Sequence, residues 1–307
     1  MGRHHRIVGW IVAALIAVGL TAGRAAAQEG PDKVMRVYAG VPGVDYLPHT
    51  AWPQSADKPV GFDPAVAEAV AERLGLRVQY VTPPRGLGEG DPRVQMLTQG
   101  HADVVALNFT DTEARRLHVR FSDPYHTDGL GLMVAADSEV AGPDDLAGQR
   151  VIAMAYTTAY RWAKKNLPES RIVSGWKNPD YTAHGLIKEG RVAAYAQERS
   201  HLVRLAATHE GLKVLDGRLT DEPIALAVQK SEDLFEKRIN AVLEEMRADG
   251  TLEALRAKWF DRLEETAGDL LKGEAEADAP EAPEDGAGTD ENRDDDQPSG
   301  GDAATGE

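Results

Sequence analysis

Among its 307 residues the chain has no cysteine. That excludes a disulfide framework, a thiolate metal cluster, a cysteine nucleophile and a lipidated cysteine near the N-terminus. Positive charge is also in short supply. Lys and Arg number 34 against 50 Asp and Glu, a formal net charge of −16, whereas a general nucleic-acid binder needs a basic footprint. Nucleic acid is therefore not an expected partner. After Leu20 no stretch approaches the roughly 20 apolar residues that span a bilayer. Catalytic and metal motifs are missing too. The histidines at 49, 101, 118, 126, 184, 201 and 209 are scattered, and none forms the two-His helical pair of a zinc protease. There is no Gly-x-Ser-x-Gly elbow and no phosphate-cradling loop ending in Lys-Ser/Thr. Gly86-Leu87-Gly88-Glu89-Gly90 lacks the strand-to-helix context of a dinucleotide fingerprint and reads as a flexible loop. No metal and no cofactor is expected. Acid–base chemistry stays open, because carboxylates that meet only in the fold leave no spacing signature.

The charge that is present is unevenly spread. Residues 274–307 carry 13 of the 50 acids and one of the 34 bases, while residues 1–27 carry three Arg and no acid. Arg3, His4, His5 and Arg6 followed by the apolar run Ile7–Leu20 and Ala25-Ala26-Ala27 match an export leader cleaved before Gln28, with an uncleaved anchor as the alternative. The protein is therefore expected to be periplasmic. From Gly273 onward Glu, Asp, Ala, Pro and Gly dominate, so residues 264–307 read as a disordered acidic tail, a solvating appendage rather than a docking segment.

Between Lys33 and Asp261, β-branched runs alternate with amphipathic stretches. The strand-like runs are Val34–Ala39, Leu76–Val81, Ala102–Leu107, Leu130–Ala135, Arg150–Ala155, Arg171–Ser174, Val192–Ala196, Leu212–Leu215 and Ile224–Val228. Several are apolar on both faces, as parallel strands between helix layers are. Asp63-Pro64 opens a helix with Ala65, Val66, Ala69, Val70 and Leu74 on one face, and Phe235–Arg247 and Leu252–Phe260 form a terminal pair. The alternation predicts a doubly wound α/β architecture run through twice, although one larger domain satisfies the length alone and no internal repeat is visible.

Three places could carry chemistry. The run Ala102–Leu107 is followed by Asn108-Phe109-Thr110-Asp111-Thr112-Glu113-Ala114-Arg115. Thr112 as N-cap places Arg115 at the third helical position, near the open N–H groups of a first turn, with the hydroxyls of Thr110 and Thr112 beside it. A strand end feeding a helix start is an anion site, and an arginine fork suits a carboxylate. The alternative is that Arg115, next to Arg116, is a solvated charge. A weaker copy follows Arg150–Ala155, where Tyr156-Thr157-Thr158 precedes a helix; a simple threonine cap is the competing account. Glu198, just past a buried strand, could hold an ammonium group or cap the next helix.

Several segments together resemble the periplasmic solute-binding proteins of amino-acid ABC transporters, the bacterial family 3 extracellular binding proteins. They are Val60-Gly61-Phe62-Asp63, Thr112-Glu113-Ala114-Arg115 with Val119–Tyr125, Asp144–Val151, and Ala248-Asp249-Gly250-Thr251-Leu252 with Lys258-Trp259-Phe260. The resemblance implies a two-lobed, type II-like periplasmic-binding-protein fold in which each lobe is a doubly wound sheet and two hinge crossings join them. It implies a discontinuous first lobe, 28–126 plus 222–263, and a second lobe, 127–221, with crossings near Thr127–Val134 and Asp221–Val228. Arg115 falls on the position that binds a ligand carboxylate. Thr110 and Thr112 fall on positions supplying hydroxyls or amides, Asn108 on one whose carbonyl faces an ammonium, Thr157 on a second-lobe carboxylate contact and Glu198 on the acid that pairs with the ammonium. Tyr46, with Trp52 as the next choice, stands nearest the stacking aromatic. Asn108 and Tyr156 occupy positions where glycine is usual, and Glu198 is one methylene longer than the usual aspartate.

The expected activity is capture of a small carboxylate-bearing ligand, an amino acid or derivative, by a monomer that is not an enzyme and that hands it to a membrane ABC permease. The alternatives are a dehydratase-like periplasmic enzyme on the same scaffold, with Glu198 as its acid, and an accessory or sensory subunit that no longer transports.

Overall fold

The computed structural model describes residues 33–174 and 182–261; the expected leader and acidic tail lie outside the described residues. In chain order come β1 (Val34–Tyr38), β2 (Asp45–Tyr46), β3 (Thr50–Ala51), α1 (Phe62–Arg73), β4 (Arg77–Tyr80), α2 (Pro92–Thr98), β5 (Val104–Val105), α3 (Glu113–Arg116), β6 (Val119–Phe121) and β7 (His126–Asp128). They are followed by β8 (Leu130–Ala135), β9 (Arg150–Ile152), α4 (Thr158–Asn166), β10 (Arg171–Val173), α5 (Ala183–Lys188) and β11 (Ala194–Glu198). The chain continues through α6 (Arg199–Thr208), β12 (Leu212–Val214), β13 (Glu222–Ile224), β14 (Ala227–Gln229), α7 (Asp233–Ala248) and α8 (Thr251–Phe260).

Two five-stranded sheets organise the molecule, in the orders β4-β1-β5-β14-β6 and β10-β9-β11-β8-β12. Each carries an apolar core on either face. Val37, Val104 and Val228 join Phe62, Val66, Val70, Ile239 and Leu243 on one face of the first sheet. Val105, Ala227 and Phe121 join Met96, Leu97 and Phe109 on the other. In the second sheet Leu132, Val151 and Ala196 pack against Ala163 and Leu167, and Met133, Ile152 and Tyr195 against Ile187, Leu202 and Leu205. This is the period-2 division of a sheet covered on both sides. The fold is α/β and two-lobed, one lobe per sheet.

Between the sheets lies a separate two-stranded ladder, with β7 antiparallel to β13 and Asp128 opposite Glu222. The chain leaves the first sheet along β7 and returns along β13, so these are the two crossings. They pass closely at Gly129, where a Cβ would lie 2.2 Å from the Thr220 carbonyl oxygen. Only glycine fits there.

The sheets are mixed, not parallel throughout. β8 is antiparallel to both β11 and β12, and β14 to both β5 and β6. Leu130–Ala135 is apolar on both faces because helices cover both, whatever its direction. The expected single run Ile224–Val228 divides into β13 in the hinge and β14 in the first sheet. Short or polar strands (β2, β3, β6, β7) and the helices α2 and α5 escaped the periodicity. Helix α1 opens one residue before Asp63, capped by Gly61 at φ 131°, where a Cβ would lie 2.4 Å from the His49 carbonyl oxygen. Val66, Ala67, Val70 and Ala71 form its fully buried stripe, while Ala65 and Ala69 are only half-buried.

Candidate functional site

The loop after β5 is shaped by its backbone partners. Asn108 adopts φ 40°, a left-handed conformation that Asn tolerates better than most residues. Its N–H donates to one carboxylate oxygen of the buried Asp63, whose other oxygen accepts from Tyr125 Oη at 2.8 Å. Thr110 bridges to Ile224, and the Asp111 N–H donates to the Pro223 carbonyl at 2.8 Å, so the returning chain holds this loop flat. Thr112 caps α3, its hydroxyl accepting from the Arg115 N–H at 3.3 Å. Arg115 is the third residue of that helix and is 4% exposed. It is not a solvated charge.

The Arg115 guanidinium donates through Nη1 to the Thr110 carbonyl at 2.8 Å and through Nη2 to the Tyr156 carbonyl at 3.2 Å, while its buried Nε has no partner. A second guanidinium stands beside it. Arg93, at the start of α2, forms a fork with Asp91 at 2.9 and 3.0 Å and also donates to the Tyr156 carbonyl at 3.0 Å. The two guanidinium carbons lie 4.7 and 4.5 Å from the Phe109 ring centre. Burial first, and then the neighbouring Arg93 charge, lower the Arg115 guanidinium to about 9, despite Asp91 at 3.5 Å. For Arg93 burial acts in the same direction, but its fork with Asp91 outweighs it and raises the group. Asp91 is thus largely committed to Arg93, and Arg115 is the cation short of a counter-charge.

Tyr156 reaches these arginines from the second sheet with its backbone. It lies between β9 and α4 at φ 65°, which turns its carbonyl onto both guanidiniums and leaves the residue 45% exposed. The Thr157 hydroxyl donates to the Met154 carbonyl at 2.6 Å and accepts from the Tyr160 N–H at 3.1 Å, so it caps α4. The Thr157 N–H also turns back to Met154, at 3.3 Å. Next to it the Thr158 hydroxyl is buried without a partner.

Glu198 ends β11 and occupies the cap position of α6, yet its side chain makes no capping bond. It accepts instead from the Tyr46 hydroxyl, across from the other lobe. The residue is 3% exposed. Burial raises its carboxyl above the usual range; the Tyr46 hydrogen bond pulls the other way without cancelling this, and Asp128 adds to the rise. Tyr46 is half-buried beside Glu198 and packs on His201 with ring centres 4.3 Å apart and the planes tilted by 30°. Trp52 lies elsewhere, 6.1 Å from Tyr80 between ring centres.

The structure therefore gathers Asn108, Thr110, Thr112, Arg115 and Tyr156 at one end and Tyr46 with Glu198 at the other, while Thr157 spends its hydroxyl on its own helix. The Asn108 carbonyl lies 3.5 Å from Arg93 Nη1. Arg93, Asp91 and Phe109 were not expected. A signal for Arg93 existed, since Asp91-Pro92 repeats the opening pattern read at Asp63-Pro64, and here Asp91 does cap a helix with Pro at its start. Among the described residues no group of three or more His, Asp or Glu could hold a metal ion, and no helix is long and apolar enough to cross a membrane.

Residues 43–262 match the family described as bacterial extracellular solute-binding proteins, family 3. The ABC transporter glutamine-binding protein GlnH of Bacillus subtilis is 29% identical over 169 residues, 55% of this chain and 61% of that protein. Among solved structures, a solute receptor for L-cysteine of Neisseria gonorrhoeae is 27% identical with a TM-score of 0.66, covering 77% of this chain and 92% of that one. The ancestral amino acid-binding protein AncCDT-1, described as a precursor of cyclohexadienyl dehydratase, is 29% identical with a TM-score of 0.64, covering 74% of this chain and 95% of that one. With a match that runs through both sheets and both crossings between them, the chain belongs to the bacterial extracellular solute-binding proteins of family 3.

Proposed function

We propose that this protein captures a small zwitterion, an amino acid or close derivative, between its lobes. The observation that carries this is Arg115: a buried guanidinium with a partnerless Nε, crowded by a second arginine, with its nearest acid engaged elsewhere. A ligand carboxylate relieves that deficit. Glu198, buried and held by Tyr46, is the counterpart for an ammonium group. Thr110, Thr112 and Asn108 shape the loop that presents Arg115, and Tyr156, followed by Thr157 as the cap of α4, brings the second lobe to it through its carbonyl. Closure occurs about the β7–β13 ladder, which supports a first lobe of 28–126 plus 222–263 and a second of 127–221. A ligand touching both lobes favours the closed form by its differential affinity, and an ABC permease reads that form from the periplasmic side. The protein works as a monomer and as a carrier, not a catalyst.

Thermal unfolding with a panel of amino acids and small carboxylates tests this. At a hundred times its dissociation constant a ligand adds about 2.7 kcal/mol, or roughly 5–10 °C for a domain of this size. The expected result is such a shift, lost in Arg115→Ala. No shift across the panel would overturn the amino-acid assignment. The likeness to AncCDT-1 makes one further assay worthwhile: product formation from prephenate or arogenate would show an enzyme instead.

A further inference from the structure

On one side of the cleft, four residues of the segment from β2 to the start of β3 meet helix α6 and the residue before it across the lobes. Asp45 Oδ2 accepts from Arg204 Nη2 at 2.9 Å, the Tyr46 hydroxyl donates to Glu198, the Leu47 carbonyl accepts from His201 Nδ1 at 3.0 Å, and His49 Nε2 lies 3.1 Å from Ser200 Oγ. Glu198, His201 and Arg204 are spaced by three, so they share one face of α6.

Both sides of this contact are anchored in their own lobes. The loop is fixed to α1 by the N–H groups of Phe62 and Asp63, which donate to the carbonyls of Pro48 and His49 at 3.0 Å each. Helix α6 is fixed by Leu202 and Leu205, which pack on the second sheet. His201 is 4% exposed and Arg204 5% exposed. The Arg204 Nε and Nη1 are buried without partners. A buried cation spending a single nitrogen on Asp45 is costly to a merely structural helix. It makes sense as a directed contact, with His201 packed against the ring of Tyr46 between the outer pair and Glu198.

We propose that Arg204 and His201 are positioning residues that hold Tyr46 on Glu198 across the cleft, so that the acid end of the site is assembled and the lobes are drawn together before a ligand arrives. What this end receives rests on the function proposed above; the closure does not. If the closed form is already populated, apparent affinity rises with the closed fraction, because a ligand binding only that form sees its dissociation constant divided by the fraction present.

The absence of cysteine makes the test direct. Spin labels placed by Glu72→Cys on α1 and Lys164→Cys on α4, both exposed positions, report the distance between lobes in the ligand-free protein. Asp45→Asn removes the outer charge from a half-exposed side chain, Arg204→Met removes the cation while keeping an apolar stem, and His201→Phe keeps the ring but loses the bond to Leu47. The expected result is a closed population in the ligand-free protein. Each variant lowers the closed-to-open ratio, roughly two- to fivefold for a pair such as Asp45–Arg204, and Asp45→Glu restores it. Identical distance distributions in the parent and all three variants would overturn the proposal. A protein that binds no amino acid but opens in the variants keeps the clasp and loses the function above; one that binds and does not open does the reverse.

Discussion

The two lobes are built on the same plan and used differently. In each sheet three parallel strands (β4-β1-β5 and β10-β9-β11) are followed by a strand of opposite direction that has just crossed from the other lobe, β14 in the first and β8 in the second. Yet the first lobe supplies side chains from short elements: Arg115 on α3, Arg93 on α2 and Tyr46 on β2. The second supplies the end of a strand, Glu198, and a backbone carbonyl at a helix start, Tyr156. Neither lobe holds a complete site. Cations crowd one side and a carboxyl rests on the other, so the zwitterion proposed above would gain from both lobes at once.

The sharpest way to break this division is at Arg115. Its Met variant should lose binding by about 2–5 kcal/mol, roughly thirtyfold or more, by calorimetry. Because burial lowers the group to about 9, its charge opposes folding at neutral pH, so the same variant should melt a few degrees higher without ligand. A variant that binds normally removes the carboxylate assignment.

The joint between the lobes should respond next. His49 is fully buried, with Nε2 3.1 Å from Asp128 Oδ2 and Nδ1 3.7 Å from Asp63 Oδ1, an ion-pair rather than a hydrogen-bond distance. Burial favours neutral imidazole, but the two carboxylates prevail and raise it to about 10. Its contribution is therefore full below an unfolded value near 6.5 and is lost as pH rises through about 10. Burial opposes the Asp128 charge too, but His49 and Ser200 lower it to about 2. That part is present above an unfolded value near 3.8 and lost as pH falls through about 2. Melting curves of His49→Gln should lose a few kcal/mol at neutral pH and flatten the alkaline decline; an unchanged profile would show that the charge does not matter.

Glu198→Gln keeps an acceptor for Tyr46 but removes the charge. Binding of an amino acid should weaken by about 1.5–3 kcal/mol, with the hydroxy-acid analogue, which keeps the carboxylate but has a hydroxyl in place of the ammonium, nearly unaffected. Equal losses for both ligands would separate Glu198 from the ammonium. The smallest expected effect is at Tyr156, whose φ of 65° costs a side chain about 1–2 kcal/mol. Tyr156→Gly should raise the melting temperature by roughly 2–6 °C and leave the carbonyl contacts in place.

Much of this was legible before any fold. Leu130–Ala135 follows from its apolar run with its bounds, Arg150–Ala155 holds the strand Arg150–Ile152 and overruns it by three residues, and Arg115 follows from a strand end, a threonine cap and an arginine in helical register. Strand direction was not legible, because a strand covered on both faces has the same composition either way. Arg93 was missed because its meaning lies in Asp91, Phe109 and Tyr156, which with it converge from three segments of the chain. The repeated sheet order leaves no sequence repeat, since many residues satisfy the same burial pattern.

The sequence by itself determined the α/β alternation, the resemblance to the solute-binding family and the placement of Arg115 in the first turn of a helix and of Glu198 at a strand end, because hydrophobic period, capping and local turns act over a few residues. The tertiary structure alone decided which strands run against their neighbours, that Thr157 caps its helix while Tyr156 offers its carbonyl, and that Arg204 reaches Asp45. Those outcomes depend on burial and charge set by residues up to 159 positions apart, and no local pattern records them.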